Sequence, residues 1–133
     1  MSQTLLSILL GAALAYGIGI PWYMLLSKPW MAAAKVSQEE VSQGSPAPFM
    51  AAFAAWLLAA LVLNTHIYPE LVGDKGLAHT LRATVGLWIC FGLLSTTLST
   101  MFGRRGLNLL WVDGGYTLAG GLSIGLVYHL IAA

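Results

Sequence analysis

The stretch LLSILLGAALAYGIGIPWYMLL, residues 5–26, is uncharged and predominantly apolar. Further long apolar stretches follow, separated by short segments that carry nearly all the charged residues of this 133-residue chain. About 20 such residues are enough for a helix to cross roughly 30 Å of hydrocarbon. We therefore predict a single-domain, all-α membrane protein. Four transmembrane helices, at about 5–26, 49–67, 83–102 and 109–130, are expected to form an antiparallel bundle.

The composition argues against a soluble domain. Hydrophobic residues make up 58% of the chain and charged residues 8%, whereas an average soluble domain is about 25% charged. Eleven charged side chains cannot form a polar shell around a core of this size. A net charge of +1 leaves no basic surface for nucleic acid, and a single cysteine excludes a disulfide framework or a cysteine-rich zinc module. The lipid bilayer is the expected surrounding.

The first apolar stretch is predicted to be a retained helix and not a signal peptide, because no basic segment precedes it and it is too long. The longest connection, residues 27–48, has Pro29 near its start and Pro46 and Pro48 near its end, where helices are expected to break. Between them, Ser37 and Glu40 have the spacing of a capping box. We predict a short interfacial helix there.

Orientation follows from the lysines and arginines of the loops, which are more numerous on the cytoplasmic side. The first and third loops carry four of them and the second loop two: Lys28, Lys35, Arg104 and Arg105 against Lys75 and Arg82. The long first loop is therefore expected in the cytoplasm and both termini outside.

Small residues recur at a spacing of four in every predicted helix. Such residues let membrane helices approach closely. The glycines expected at helix contacts are Gly11, Gly19, Gly92, Gly114, Gly121 and Gly125. Packing inside one four-helix bundle explains them. A second interpretation is that one stripe, most simply the GxxxG pair Gly121 and Gly125, binds another subunit.

Asp113 is the ionisable residue that lies at or just inside the start of a predicted membrane helix. A carboxylate in this position is costly unless it has a partner. One interpretation is structural: the carboxylate favours the helix dipole and pairs with Lys28, Arg104 or Arg105. The alternative is a proton or cation relay through Asp113.

Other polar residues give weaker signals. His66 and His129 end two predicted helices and are candidate ligands for a metal, haem or pigment. The simpler interpretation is that they are polar residues at the membrane interface. We predict no metal and no cofactor. Cys90 is expected to be buried and inert. The chain has no P-loop and no nucleophile elbow, so we do not expect an enzyme.

Four segments of the sequence resemble one family. They are Gly19-Ile20-Pro21-Trp22-Tyr23 with Ser27-Lys28-Pro29-Trp30-Met31; Pro46-Ala47-Pro48-Phe49-Met50; Trp88 and Phe91 with Ser95-Thr96-Thr97; and Trp111-Val112-Asp113-Gly114-Gly115-Tyr116. In this order they resemble the small bacterial four-span membrane proteins catalogued as domain of unknown function 1761. The resemblance implies an inner-membrane location and a four-helix bundle, and it implies no reaction.

Two functions remain open at this point. The first is a non-enzymatic structural or accessory subunit that assembles as a homo-oligomer or in a larger membrane complex through small-residue helix faces. The alternative is a homo-oligomeric transporter or channel for a small molecule or ion that uses Asp113. The candidate functional residues are Asp113, Tyr116, Trp22, Lys28, Trp30, Arg104 and Arg105.

Overall fold

The computed structural model describes residues 2–133, and every regular element in that range is helical. The helices are α1 (Gln3–Leu25), α2 (Ser27–Ala34), α3 (Gln38–Ser42), α4 (Ala47–Val62), α5 (Tyr68–Leu71), α6 (Leu77–Leu87), α7 (Leu94–Phe102) and α8 (Asn108–Ile131). π-Helical turns at Leu63–Ile67 and Trp88–Leu93 join α4 to α5 and α6 to α7. The predicted all-α class is confirmed.

The π-helical turns create two continuous helical rods, Ala47–Leu71 and Leu77–Phe102. We call them the second and third rods, because they are the second and third of the four long helical segments, between α1 and α8. Two polar side chains of the second rod donate hydrogen bonds within the rod itself. Asn64 and Thr65 donate to carbonyls one turn earlier in the same rod. A rod can therefore carry amide and hydroxyl groups without exposing unpaired donors to hydrocarbon.

Helix α1 and helix α8 lie side by side and run antiparallel. Gly11 of α1 packs against Ile124 of α8, while Trp22, near the other end of α1, donates a hydrogen bond to the carbonyl of Val112. Their contact is the largest between any two helices of the described chain. Buried side chains on this seam include Ala12.

The two rods pack mainly against different members of the α1–α8 pair. The second rod contacts α1, where the hydroxyl of Ser7 donates to Asn64 Oδ1 at 2.6 Å. The third rod contacts α8, where Trp88 donates to the carbonyl of Gly114. Each rod is antiparallel to the helix it packs against. The four long segments therefore alternate in direction along the chain.

Three helical segments are long and apolar enough to cross a membrane: Gln3–Leu25, Ala47–Leu71 and Leu77–Phe102. Helix α8 is comparable in length, with 24 residues, but it is not among them. Its many glycines and Asp113 make it less apolar than the others. The structure thus supports a helical membrane protein with three candidate spans.

The connections partly follow the predictions. The capping box of Ser37 and Glu40 is present and starts α3, so the predicted short helix is confirmed. Pro29 does not interrupt α2, because it lies in the first turn of this helix, where its missing N–H costs no hydrogen bond. The link between the rods is shorter than the predicted residues 68–82, because α6 already begins after Gly76, at φ 94°.

Cys90 contradicts the prediction that it is buried. It lies in the π-helical turn of the third rod and is exposed. Only a small part of the third rod is buried inside the chain, and many of its apolar side chains are exposed. Position along an apolar stretch therefore did not indicate burial.

Candidate functional site

Asp113 lies near the start of α8 and is paired with a tyrosine. Its Oδ1 accepts a hydrogen bond of 2.7 Å from the hydroxyl of Tyr23. The neighbouring Trp22 donates from Nε1 to the carbonyl of Val112 at 2.8 Å. Both donors come from the end of α1, which the antiparallel packing places beside the start of α8.

This partner corrects the sequence prediction, which paired Asp113 with a base. The hydrogen bond recorded for its carboxylate in residues 2–133 comes from Tyr23, and not from Lys28, Arg104 or Arg105. The physical reason is register. The α1–α8 contact brings an aromatic segment to the carboxylate, whereas Arg104 is held at the neighbouring connection by a contact with the end of α2.

Tyr116 joins three helices through one hydroxyl group. The hydroxyl donates to the carbonyl of Ala15 on α1 and accepts from Trp56 Nε1 on α4, each at 2.9 Å. Its ring meets Trp56 and Tyr23 edge-on, with ring centroids 5.6 Å and 5.4 Å away. Gly19 provides the space, because a Cβ there would lie 2.9 Å from the Tyr116 hydroxyl oxygen.

Trp88 attaches the third rod to α8 in a similar way. Its Nε1 lies 2.9 Å from the carbonyl oxygen of Gly114 and 3.1 Å from the hydroxyl oxygen of Thr117. The Thr117 hydroxyl itself donates to the same carbonyl at 2.9 Å. A buried indole N–H needs an acceptor, and here the backbone of α8 supplies it.

A groove of about 450 Å³ opens between the second and third rods, with α8 as its floor. Alanines line the wall formed by the second rod, and the two tryptophans Trp56 and Trp88 contribute to opposite sides. The small side chains of the alanines leave the groove wide, and Gly121 has no side chain that would fill it from the α8 side.

The polar side chains that line the groove are all hydrogen-bonded within the described chain. Trp56 pairs with Tyr116, and Trp88 and Thr117 share a backbone carbonyl. The hydroxyl of Thr84 bonds to neighbouring groups on both rods. Because few donors or acceptors are left to orient a polar ligand, the groove suits an apolar occupant.

The GxxxG pair is used inside the chain. A Cβ on Gly121 would lie 3.2 Å from the methyl group of Thr84. A Cβ on Gly125 would lie 3.1 Å from the hydroxyl of Tyr68, and that hydroxyl contacts Thr84 at 2.7 Å. The interpretation that this pair binds another subunit is therefore not supported by its position, which is occupied by the two rods.

The remaining predicted packing glycines have different surroundings. Gly11 faces Ile124 across the α1–α8 seam, and Gly114 lies 3.7 Å, measured from an ideal Cβ, from the ring of Trp88. Gly92 lies under the ring of Trp88 in its own rod. Gly120 was not predicted, although it has the tightest of these contacts: a Cβ there would lie 2.4 Å from the Trp56 ring.

Helix α2 folds back onto the connection between α7 and α8. Trp30 packs edge-on against Tyr23, with ring centroids 6.2 Å apart, and so extends the aromatic cluster around Asp113. Of the predicted basic residues, Lys28 and Arg104 are exposed and Arg105 is half-buried.

Within residues 2–133, no group of three or more His, Cys, Asp or Glu side chains is placed to hold a metal ion. His66 is exposed, and its Nδ1 lies 2.7 Å from the hydroxyl of Thr65. His129 is half-buried, and its Nδ1 has no hydrogen-bond partner. It lines a second cavity of about 340 Å³ together with Asp74.

A family model described as "Protein of unknown function (DUF1761)" matches residues 6–129. The chain belongs to the DUF1761 family. The predicted resemblance is thus confirmed, and the matched range includes both the Tyr23–Asp113 contact and the groove. No curated protein and no solved structure matched the chain.

Two contacts of this DUF1761 protein were missed at the sequence level. Tyr23 was not assigned to Asp113, and Trp56 was not assigned to Tyr116. A signal was present for Trp56: an indole placed deep in an apolar helix, away from the membrane interface, needs an internal acceptor for its N–H.

Proposed function

We propose that this DUF1761 protein is an integral protein of the bacterial inner membrane that crosses the bilayer four times. The fourth crossing is supported by the packing of α8, which lies antiparallel along α1 from Ile124 to Val112. A bilayer spanned by α1 would also surround α8. The excess of basic residues in the first and third loops favours a cytoplasmic position for those loops and both termini outside.

As its function we propose a non-enzymatic structural or accessory subunit, in a homo-oligomer or a larger complex. The observation that carries this proposal is the exposed alanine face of α4. Ala47, Ala51 and Ala55 are exposed and lie one turn apart. Small residues in this pattern allow close backbone approach between membrane helices, whereas Gly121 and Gly125 of α8 already contact groups inside the chain.

A second copy of this chain is the occupant that we propose for the α4 face. One stripe of small residues is complementary to itself about a two-fold axis along the membrane normal. The adjoining groove supports this choice, because its polar groups are already paired and it suits hydrocarbon side chains of a neighbouring helix.

Disulfide crosslinking in native membranes tests this assembly. In a Cys90→Ser background, Ala51→Cys and Ala55→Cys should each give a covalent dimer on mild oxidation. In the proposed contact between the α4 helices of two copies, these positions approach within about 7 Å between Cα atoms, as a disulfide requires. Leu98→Cys in the same background is the control, since Leu98 is 48% exposed on the third rod. No dimer at positions 51 and 55, or equal dimer at position 98, would contradict self-assembly along α4.

The second candidate function is transport through a homo-oligomer with Asp113 on the pathway. It is favoured by one observation: the half-buried carboxylate of Asp113 is met by a hydroxyl and not by a base. Asp113→Asn keeps an acceptor oxygen for Tyr23, so the variant should assemble normally. Loss of proton or cation flux in vesicles containing folded Asp113→Asn protein would support transport, and unchanged flux would contradict it.

A further inference from the structure

Two chain connections at one end of the molecule are tied together by backbone contacts. The N–H of Gly106, between α7 and α8, donates to the carbonyl of Ala33 in α2 at 2.7 Å. This approach requires a glycine, because a Cβ on Gly106 would lie 2.9 Å from Ala33 Cα. Lys35, which ends α2, then donates from Nζ to the carbonyl of Arg104. The Lys35 ammonium is thereby held next to the backbone of Arg104.

The local backbone does not favour these residue types. Lys35 has φ 60° and Arg104 has φ 54°, in the left-handed region that suits glycine and asparagine better. The acidic groups of this end are engaged elsewhere. Glu39 and Glu40 accept hydrogen bonds within the first loop, and Asp113 accepts one from α1. The exposed Lys35 and Arg104 are therefore available to an external anion.

Exposed apolar residues flank Arg104 in the chain. Met101 and Phe102 precede Arg104 and are 58% and 85% exposed, and Leu107 follows it at 62%. Such side chains belong in hydrocarbon, whereas Lys35 and Arg104 are exposed and charged. The boundary between the hydrocarbon and the lipid headgroups satisfies both requirements.

We propose that Lys35 and Arg104, with Arg105 beside them, bind the phosphate of an anionic phospholipid. The arginine guanidinium can donate two parallel hydrogen bonds to phosphate, and the lysine adds a second positive charge. The acyl chains of the same lipid lie against Met101 and Phe102. This site needs only the membrane location of the chain and does not depend on self-assembly along α4.

Native mass spectrometry of the full-length protein in detergent tests this site, with phosphatidylglycerol and phosphatidylcholine added at equal concentration. The wild-type protein should retain phosphatidylglycerol preferentially. The double variant Lys35→Asn/Arg104→Asn should bind it about 30-fold more weakly, from two lost surface charges. Asparagine is chosen because it tolerates positive φ, so the backbone should be kept.

The matched control is Lys75→Asn/Arg82→Asn, which removes two exposed charges from the opposite end and should leave the preference unchanged. Equal weakening by both double variants, or no preference for phosphatidylglycerol in the wild type, would overturn the proposal. So would displacement of the lipid by an equal concentration of inorganic phosphate, which would indicate a site for free anions.

Should the double variant fail to fold, the wild-type protein still provides a test. Raising the ionic strength from about 0.05 M to about 0.5 M should weaken the retention of phosphatidylglycerol several-fold, because salt screens exposed charges. Retention that does not change with salt would overturn the proposal.

Discussion

Tyr23 and Asp113 illustrate how a carboxylate is accommodated near the start of α8 without a base. A hydroxyl donor at 2.7 Å satisfies one oxygen and brings no second charge into apolar surroundings. The partner is aromatic, so the same side chain also packs against Trp30 and Tyr116. At the scale of the residue, one side chain thus supplies both the hydrogen bond and the packing.

This contact predicts a difference between two conservative variants. Tyr23→Phe removes the donor and should lower the free energy of unfolding by about 1 kcal/mol, the usual size of a side-chain hydrogen bond in a membrane protein. Asp113→Asn keeps an acceptor and should cost less. Thermal unfolding in mild detergent measures both, and a larger loss for Asp113→Asn than for Tyr23→Phe would contradict the assignment.

Gly120 and Gly17 form a second pair for comparison at this scale. Gly120→Ala places a Cβ 2.4 Å from the Trp56 ring, so the indole must move, and we expect a loss of about 1–3 kcal/mol in stability. Gly17→Ala meets no atom within 4 Å and should be neutral or slightly stabilising, since alanine favours helix. Unfolding in detergent distinguishes them. Equal effects of both variants would show that Trp56 does not lie over Gly120.

At the scale of the element, α8 is the helix around which the others are arranged. It is the least apolar of the four long segments, yet it contacts α1 and the third rod, and Trp56 of the second rod reaches it as well. Its glycines admit the rings of Trp22, Trp56 and Trp88 close to its backbone. Low apolarity is consistent with a central position, because several residues of α8 are buried against its neighbours.

Tyr116 should therefore contribute more to helix packing than another tyrosine of α8. Tyr116→Phe removes the hydroxyl that joins α1, α4 and α8, and it leaves Trp56 Nε1 without its acceptor. We expect a loss of about 1–3 kcal/mol in stability. Tyr128→Phe is the control, because the Tyr128 ring packs on Tyr68 while its hydroxyl has no recorded hydrogen bond in residues 2–133. Similar losses for the two variants would contradict this role.

At the scale of the whole molecule, the number of membrane crossings determines where the termini lie. Four crossings place both termini on one side, and three place them on opposite sides. Reporter fusions at each end, active on only one side of the membrane, should therefore give the same result, with both termini outside. Opposite results would show that α8 does not cross the bilayer.

The class of the molecule, its family and its short capped helix α3 could all be predicted from local patterns. Apolar length indicated helices in a membrane, and the spacing of Ser37 and Glu40 indicated the cap of α3. Other features could not be predicted in this way. Cys90 was expected inside and is exposed, because apolar residues of a membrane helix can face lipid as well as protein.

The sequence by itself thus determined that this chain is helical, apolar and suited to a bilayer, since length and apolarity are properties of each segment alone. Only the tertiary structure decided which groups meet. Tyr23 reaches Asp113, and the GxxxG pair faces the rods, because of the register and rotation of α8 against its neighbours. Register arises from packing between segments distant in the chain. Helices that are apolar on all sides have no polar and apolar faces from which this register could be predicted.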